Sequence, residues 1–163
     1  MKLNELFSKP KKTLYVKRKL LNTDEIIEWA KSQGFEHLMD PSEFHATIVF
    51  SKEPFDYSNI SLQNNKLVVN NTKDRKVEHL GDKGAIVLKF FSETLHNRWQ
   101  EFRNEGASWD YDSYQPHVTL SYEDNAVNVE EVEPFKGKLI FGKEIGNPVD
   151  DDWADKIKTV DIS

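Results

Sequence analysis

The fold is decided by the stretch Phe44-His45-Ala46-Thr47-Ile48-Val49-Phe50-Ser51. In an extended strand, residues i and i+2 point to the same face, so His45 and Thr47 share one side. The other side is expected to carry the apolar residues Phe44, Ala46, Ile48 and Phe50. This alternation predicts a strand with one face buried in a core and one polar face that bears an imidazole and a hydroxyl.

The same pattern returns in the stretch His117-Val118-Thr119-Leu120-Ser121-Tyr122. Alternation places His117, Thr119 and Ser121 opposite Val118, Leu120 and Tyr122. A single H-x-T triplet in a strand is usually a structural histidine beside a strand-forming threonine. Two matched copies instead favour a function, because two such strands side by side would make one site from equivalent halves. The candidate catalytic residues are therefore His45, Thr47, His117 and Thr119.

Further strands are predicted on either side of these motifs. Residues 13–21 alternate, with Leu14, Val16 and Leu20 on the buried face and Tyr15, Lys17 and Lys19 on the other. Residues 66–70, 75–80 and 85–91 are rich in strand-forming residues and are separated by turn signals, which predicts a meander. One more strand is predicted at residues 139–141.

Two helices are predicted between the strands. The first follows Asn22 as its N-cap, has Glu25 at its third position and ends at Gly34. The second begins after Ser92, runs to about Glu105 and stops at Gly106. Its apolar residues recur at helical spacing and are expected in the core: Leu95, Trp99 and Phe102.

Together these elements predict an α+β fold made of two similar lobes. Each half of the chain supplies strands, a helix and an H-x-T strand, so we expect antiparallel sheets that form a central groove, with the helices on the outer faces. The motif strands would lie at the centre of this groove. A length of 163 residues with 37% hydrophobic residues suits one domain spanning residues 1–163.

Composition excludes several classes of function. The chain has no cysteine, so it has no disulfide, thiolate metal site or cysteine nucleophile. No apolar run is long enough for a membrane span or a signal peptide, and we expect a soluble cytoplasmic protein without membrane partners. A net charge of -6 argues against broad binding of duplex nucleic acid, which depends on many lysines and arginines. A small anionic ligand in a local basic pocket fits better.

Two imidazoles and two hydroxyls on one surface suit the cleavage of a phosphodiester. One imidazole takes a proton from the attacking oxygen, and the other gives a proton to the leaving oxygen. The threonine hydroxyls can stabilise negative charge on the non-bridging phosphate oxygens. We expect no cofactor and no metal, since HExxH and paired CxxC motifs are absent. A metal held by His45, His117 and a distant carboxylate is the alternative left open.

Twin H-x-T strands about seventy residues apart, in a chain of this size, resemble the 2H phosphoesterase superfamily. The resemblance covers essentially the whole chain and places His45, Thr47, His117 and Thr119 on the motif positions of the superfamily. It implies metal-independent cleavage of a 2′,3′-cyclic phosphate, or of a phosphodiester next to a ribose 2′-OH.

Within that superfamily, three features look most like the phage anti-CBASS nucleases: the strand Leu14-Tyr15-Val16-Lys17-Arg18-Lys19, the helix from Asp24 to Gly34, and the motif Phe44-His45-Ala46-Thr47-Ile48. Such proteins cleave the 3′-5′ bonds of cyclic di- or trinucleotide messengers made in anti-phage defence, which places them in the cytoplasm of the host cell. The resemblance implies that Tyr15 and Lys17 contact base and phosphate, and that Glu144 and Trp153 complete the pocket.

Several alternatives stay open on sequence grounds. The substrate is a cyclic oligonucleotide in the first hypothesis, and a linear 2′-5′ oligonucleotide or a 2′,3′-cyclic phosphate end of RNA in the second. A third hypothesis is a module that sequesters a nucleotide without cleaving it. A nucleobase could stack on Tyr15, Trp109, Tyr114 or Trp153. The sequence does not assign base and acid to the two histidines, and it leaves base preference, ring size and oligomeric state open.

Overall fold

The computed structural model describes residues 12–81, 84–122, 124–150 and 158–163. Over these ranges the chain forms nine strands, two α-helices and two short 3₁₀ helices at Pro41–Glu43 and Val129–Glu131. The strands are β1 (Lys12–Leu20), β2 (His37–Met39), β3 (His45–Phe55), β4 (Leu67–Val69), β5 (Arg75–Leu80), β6 (Ala85–Phe90), β7 (His117–Ser121), β8 (Leu139–Asn147) and β9 (Thr159–Asp161). The α-helices are α1 (Thr23–Ser32) and α2 (Glu93–Asn104).

Seven of the described strands form one antiparallel sheet in the order β4-β8-β1-β3-β7-β6-β5. β2 and β9 form a separate two-stranded pair. The two motif strands, β3 and β7, are neighbours at the centre of the large sheet, and both helices lie outside it. The predicted α+β class, with the H-x-T strands at its centre, is confirmed.

The two faces of the large sheet have opposite character. The core face carries fully buried side chains from β1, β3 and β7, among them Val16, Ala46, Ile48 and Leu120. Both helices pack against this face: α1 contributes Ile26 and Ala30, and α2 contributes Leu95, Trp99 and Phe102. Burial of each large apolar side chain contributes about 1.5–3 kcal/mol, so the helices fix the sheet from one side. We call the opposite surface, which carries His45, Thr47, His117 and Thr119, the site face.

The predicted meander is wrong in one respect. β5 and β6 do form a hairpin, with Arg75 paired to Phe90 and Leu80 paired to Ala85. β4, however, lies at the far edge of the sheet and pairs with β8 instead of β5. Its three residues are too few to carry a strong local preference, so a partner distant in sequence decides where it pairs.

The two lobes of the sheet do not correspond to consecutive halves of the chain. β8, which comes late in the sequence, pairs with β1 near the beginning. The lobe on the His45 side therefore combines β1, β3, β4 and β8, and the lobe on the His117 side combines β5, β6 and β7. Because β8 is bonded to β1, the C-terminal part of the chain supports the N-terminal half-site.

Local signals set the helix ends. The Ser92 hydroxyl accepts a hydrogen bond from the Leu95 amide, as expected of an N-cap. Gly34 and Gly106 end the helices with φ of +92° and +111°, a left-handed conformation that favours glycine. Asn22 precedes α1 as predicted, but its side chain does not cap the helix backbone. Its Oδ1 instead accepts from the Ile140 amide and ties the start of α1 to β8.

Candidate active site

The central strand pairing brings the two H-x-T motifs together. Ala46 on β3 pairs with Val118 on β7 in antiparallel register. Because the strands run in opposite directions, this register sets His45 beside Thr119 and Thr47 beside His117 on the site face. The two half-sites are therefore related by an approximate twofold axis between the strands. The predicted juxtaposition of the four residues follows from this single pairing.

Each motif imidazole is oriented by a backbone carbonyl two residues earlier. His45 Nδ1 lies 2.7 Å from the Glu43 oxygen, and His117 Nδ1 lies 2.8 Å from the Gln115 oxygen. A carbonyl oxygen can only accept, so Nδ1 carries the proton in both rings. The basic nitrogen of each neutral imidazole is consequently Nε2. The same contact in both half-sites gives the two rings the same tautomer.

Tyr15 is part of the first half-site. Its hydroxyl lies 2.6 Å from His45 Nε2 and 3.3 Å from Thr47 Oγ1. Burial raises the pKa of Tyr15 to about 12, so the hydroxyl stays protonated and donates to the unprotonated Nε2 of His45. The Tyr15 ring packs edge-on against Phe50, with centroids 5.2 Å apart. Its hydroxyl is thus bonded directly to a candidate catalytic group, a contact that the sequence did not indicate.

Positive charge flanks both half-sites. Lys17 pairs with Thr47, and Lys19 pairs with His45, in the β1–β3 register. On the other side of the centre, Lys89 of β6 pairs with His117. Since paired residues in a sheet point to the same side, all three ammonium groups belong to the site face. Lys17 was expected there, whereas Lys89 was not singled out from the sequence.

Burial and these lysines keep both imidazoles neutral. Burial lowers the pKa of His45 to about 4; the charges of Lys17, His117 and Lys19 also lower it, while the hydrogen bond to Glu43 opposes them. Burial also lowers the pKa of His117, with a further contribution from Lys89. In the free protein both rings are therefore neutral at pH 7, and each can accept a proton.

This shift predicts a loss of stability on acidification. The pKa of His45 is about 4 in the folded protein and 6.5 in the unfolded chain. Between these two pH values the unfolded chain binds a proton at His45 and the folded protein does not. The stabilising contribution is present above pH 6.5 and is lost as pH falls towards 4. We expect His45 to account for a loss on the order of 2 kcal/mol between pH 7 and pH 5.

Denaturant titrations of the wild type and of His45→Gln at both pH values measure this contribution. The wild type should lose more free energy of unfolding on acidification than the variant does. An equal loss in the two proteins would contradict the prediction. Imidazole ¹⁵N chemical shifts of His45, followed over the same pH range, report the folded pKa directly.

A β-bulge follows each motif and corrects the predicted faces. The β1–β3 register shifts between Val16 and Lys17, so Ile48 and Val49 are both fully buried. The extra residue reverses the alternation and places Phe50 on the site face, not on the apolar face that was predicted. The alternating pattern of a sequence does not show where a bulge adds one residue to a strand. The predicted face of Phe50 was therefore wrong.

The second motif is followed by the same irregularity. The β6–β7 register shifts between Ile86 and Val87, and Leu120 and Ser121 are both fully buried. Tyr122 therefore turns to the site face, where it is hydrogen-bonded to Thr119. The sequence prediction had placed Ser121 with Thr119 and Tyr122 with the core. Each half-site consequently carries an aromatic ring three residues after its threonine.

Tyr114 supports the first half-site from the core side of the sheet and does not offer its ring to a nucleobase. Its hydroxyl donates to the Thr47 carbonyl at 2.6 Å. The ring is only 7% exposed and stacks on Trp99 of α2 at 5.5 Å. A nucleobase cannot reach a ring buried in this way, so the expectation of base stacking on Tyr114 is wrong. The residue instead connects the backbone of β3 to the helix beneath it.

Glu144 is placed differently from the expectation. It pairs with Arg18 across β1 and β8, and both side chains lie on the core face. Its carboxylate accepts hydrogen bonds from Nε and Nη2 of Arg98, both at 2.9 Å, and one from the Gln63 amide at 2.7 Å. The side chain has no exposed surface. A carboxylate that is buried and fully bonded on the opposite side of the sheet does not line the site face.

Two of the aromatic residues proposed from the sequence to contact a nucleobase remain, Trp109 and Trp153. Trp109 is half-buried, with its ring edge-on to Trp99 at 5.9 Å. Trp153 lies outside the described residues. In the part of the chain that the structure describes, no cluster of three or more His, Cys, Asp or Glu side chains could hold a metal ion. Across the same residues, no helix is long and apolar enough to cross a membrane.

Solved structures share this architecture. The crystal structure of E. coli LigT complexed with 3′-AMP aligns with a TM-score of 0.52 at 13% identity, over 85% of this chain and 95% of LigT. A curled antiparallel sheet with an H-x-T motif on each of its two central strands is the fold of the 2H phosphoesterases. The molecule has this fold, and the two-lobed arrangement of antiparallel sheets inferred by resemblance is confirmed.

The family follows from the sequence comparisons. The model of the family described as anti-CBASS protein Acb1 matches residues 12–156, and the chain belongs to this family. The anti-CBASS protein Acb1 of Caulobacter sp. (strain RHG1) is 43% identical over 148 residues, which are 88% of this chain and 24% of that protein. The anti-CBASS protein Acb1 of Enterobacteria phage T4 is 29% identical over 151 residues, or 89% of this chain and 93% of that protein.

The chain thus spans about a quarter of the length of the bacterial relative and nearly all of the phage relative. The resemblance that rested on the two motifs and on the strand around Tyr15 is confirmed at the level of the family.

Proposed function

We propose that this protein is a phosphodiesterase that cleaves the 3′-5′ bonds of cyclic di- or trinucleotide messengers, with His45 and His117 as general base and general acid. One observation carries the proposal. Both imidazoles use Nδ1 to donate to a backbone carbonyl, so two basic Nε2 atoms belong to the same surface beside two threonine hydroxyls.

The arrangement accounts for each proton transfer. One neutral Nε2 removes the proton of the attacking oxygen, which belongs to water or to a ribose 2′-OH. The other imidazole takes up a proton from solvent when the substrate binds, because the adjacent phosphate anion raises the pKa of the ring. It then donates that proton to the leaving oxygen. Thr47 and Thr119 donate to the non-bridging oxygens as negative charge accumulates there. Lys17 and Lys19 add positive charge on the same face.

A small anionic substrate fits the distribution of charge. The chain as a whole carries a net charge of -6, which repels a long polyanion, while lysines gather around the two half-sites. The name of the relatives, anti-CBASS protein, supports a cyclic nucleotide messenger as the ligand. Such a messenger would be met in the cytoplasm of a bacterial host.

The test is chromatography of cyclic dinucleotides, cyclic trinucleotides, 2′-5′ oligoadenylate and 2′,3′-cyclic phosphates after incubation with purified protein in EDTA. Linear products from the cyclic messengers are expected, at a rate that the chelator does not change. Activity lost in EDTA and restored by Mg²⁺ or Zn²⁺ would overturn the metal-independent scheme.

The choice of substrates separates the alternatives. Cleavage of only the 2′-5′ or 2′,3′-cyclic substrates would move the protein to an RNA-processing role. Depletion of free cyclic nucleotide without any product would identify a sequestering module.

A further inference from the structure

A shallow depression of about 410 Å³ lies at the end of the β5–β6 hairpin. It is lined by residues 73–76, where β5 begins, and by residues 89–91, where β6 ends. None of these residues was singled out as a candidate site from the sequence. Its position relative to the histidines, its charge and one exposed ring together indicate a ligand.

The depression continues the site face beyond His117. Lys89, which lines it, pairs directly with His117 across β6 and β7. The next residue, Phe90, donates its amide to the Pro116 carbonyl at 3.1 Å, so the end of β6 is fixed to the segment that leads into the second motif. A ligand held between the two histidines therefore has this depression immediately to one side.

The charge of the depression is positive. Lys76 pairs with Lys89 across the hairpin, and both ammonium groups share a single carboxylate, that of Glu78, at 3.0 and 2.8 Å. Two cations against one anion leave a net positive charge, and Lys73 adds to it while Asp74 offsets it. The guanidinium of Arg75 at the base donates to the backbone carbonyls of Asn70, Phe135 and Gly137. In a protein of net charge -6, such an excess favours an anion.

An exposed aromatic ring borders the same charges. Phe91 is 63% exposed, although it follows directly after a buried strand residue. It lies two residues beyond Lys89 and so continues the same side of the strand. On the other lobe, the rings of Tyr15 and Phe50 pack edge-on against each other. Phe91 can therefore offer a ring to a nucleobase where Lys76 and Lys89 offer ammonium groups to a phosphate.

We propose that this depression, the Lys76–Lys89–Phe91 subsite, binds the phosphate and base of the nucleotide that is not being cleaved. The proposal rests on the proposed function, in which the substrate carries at least two phosphates. While the two histidines act on one phosphate, the subsite holds a second one and thereby selects a cyclic oligonucleotide over a mononucleotide.

The test measures equilibrium binding in a His45→Ala background, so that turnover does not interfere. Calorimetric titrations with cyclic di-AMP compare this protein with variants that add Lys76→Ala or Phe91→Ala. We expect Phe91→Ala to raise Kd about 10-fold or more, in line with the loss of a stacked base. Lys76→Ala should raise Kd about 5-fold and weaken its dependence on salt.

Two controls match these substitutions. Lys31→Ala removes an exposed lysine from α1, and Val68→Ala trims an exposed apolar side chain on β4; neither should change Kd. A second ligand, 3′-AMP, has one phosphate and one base, so its Kd should be unaffected by either subsite variant. An equal loss for 3′-AMP and cyclic di-AMP would overturn the proposal, since the subsite would then bind the reacting phosphate.

Turnover of cyclic di-AMP by the wild type is measured separately, so the two proposals can fail independently. If the wild type cleaves while the subsite variants bind as tightly as the His45→Ala protein, the subsite is wrong and the function stands. If the wild type does not cleave but the variants bind more weakly, the function is wrong and the subsite stands as a binding site for a cyclic dinucleotide. If the wild type does not cleave and the His45→Ala protein does not bind, both proposals are wrong.

Discussion

His45→Ala and His117→Ala are each expected to lower kcat by about 10²- to 10⁴-fold, which is the usual contribution of a positioned acid or base. The physical reason is that each Nε2 is the basic nitrogen of its ring, and the proposed cleavage needs one of them to accept a proton and the other to donate one. Initial rates with a cyclic dinucleotide at saturating concentration measure the effect. The double variant should be little slower than either single variant, because the two groups act within one step.

His79→Ala is the matched control. The Nδ1 atom of His79 likewise donates to a backbone carbonyl, that of Gly84 at 2.8 Å, but His79 is exposed and lies on β5 away from the central strands. Its replacement should leave kcat unchanged. A rate close to that of the wild type in either motif variant would refute the assignment of the two histidines.

Glu144→Ala is expected to destabilise the protein by about 3–5 kcal/mol, the range for removing one partner of a buried ion pair. The loss leaves the buried Arg98 guanidinium with only the exposed carboxylate of Glu101 as an ionic partner, and it leaves the backbone amide of Gln63 without an acceptor. Burial lowers the pKa of Arg18, and the carboxylate of Glu144 opposes that decrease, so Arg18 loses support as well. Urea denaturation of the wild type and the variant measures the difference.

The control for this prediction replaces both partners. Arg98→Met combined with Glu144→Leu removes both members of the buried pair and leaves only Arg18 without a nearby carboxylate, so it should recover part of the lost stability. Glu144→Gln, studied at a temperature where it stays folded, should keep the wild-type KM for a cyclic dinucleotide, because its side chain lies on the core face. A large rise in KM without loss of stability would restore Glu144 to the substrate pocket.

The buried network around Glu144 also includes an arginine that the sequence did not single out. Arg18 stands between Lys17 and Lys19 in a run of positive charge. In the structure it is 2% exposed, and it donates to the Asn65 and Gly142 carbonyls and to the Gln63 side chain. Charge alone did not reveal this burial, whereas the strict alternation of β1 did place residue 18 with Val16 and Leu20.

Local information in the sequence determined much of the molecule. Alternation and turn residues predicted the motif strands, the β5–β6 hairpin and both helices, since these features depend on neighbours a few residues away. The duplicated H-x-T triplets predicted the four residues at the centre of the site. Their spacing also carried the resemblance to the 2H phosphoesterase superfamily, while the strand around Tyr15 helped to carry the resemblance to the anti-CBASS family.

Tertiary structure decided what depends on partners far apart in sequence. The pairing of β8 with β1, and of β4 with β8, joins residues that no local pattern connects. The bulges after Thr47 and Thr119 arise from the register between strands, so Phe50 and Tyr122 face the site only in the folded sheet. The bond from Tyr15 to His45 and the approach of Lys89 to His117 have the same origin. A sequence specifies which face a residue shares with its own neighbours, but the register between strands is set by the whole buried core, and that register assembles the site.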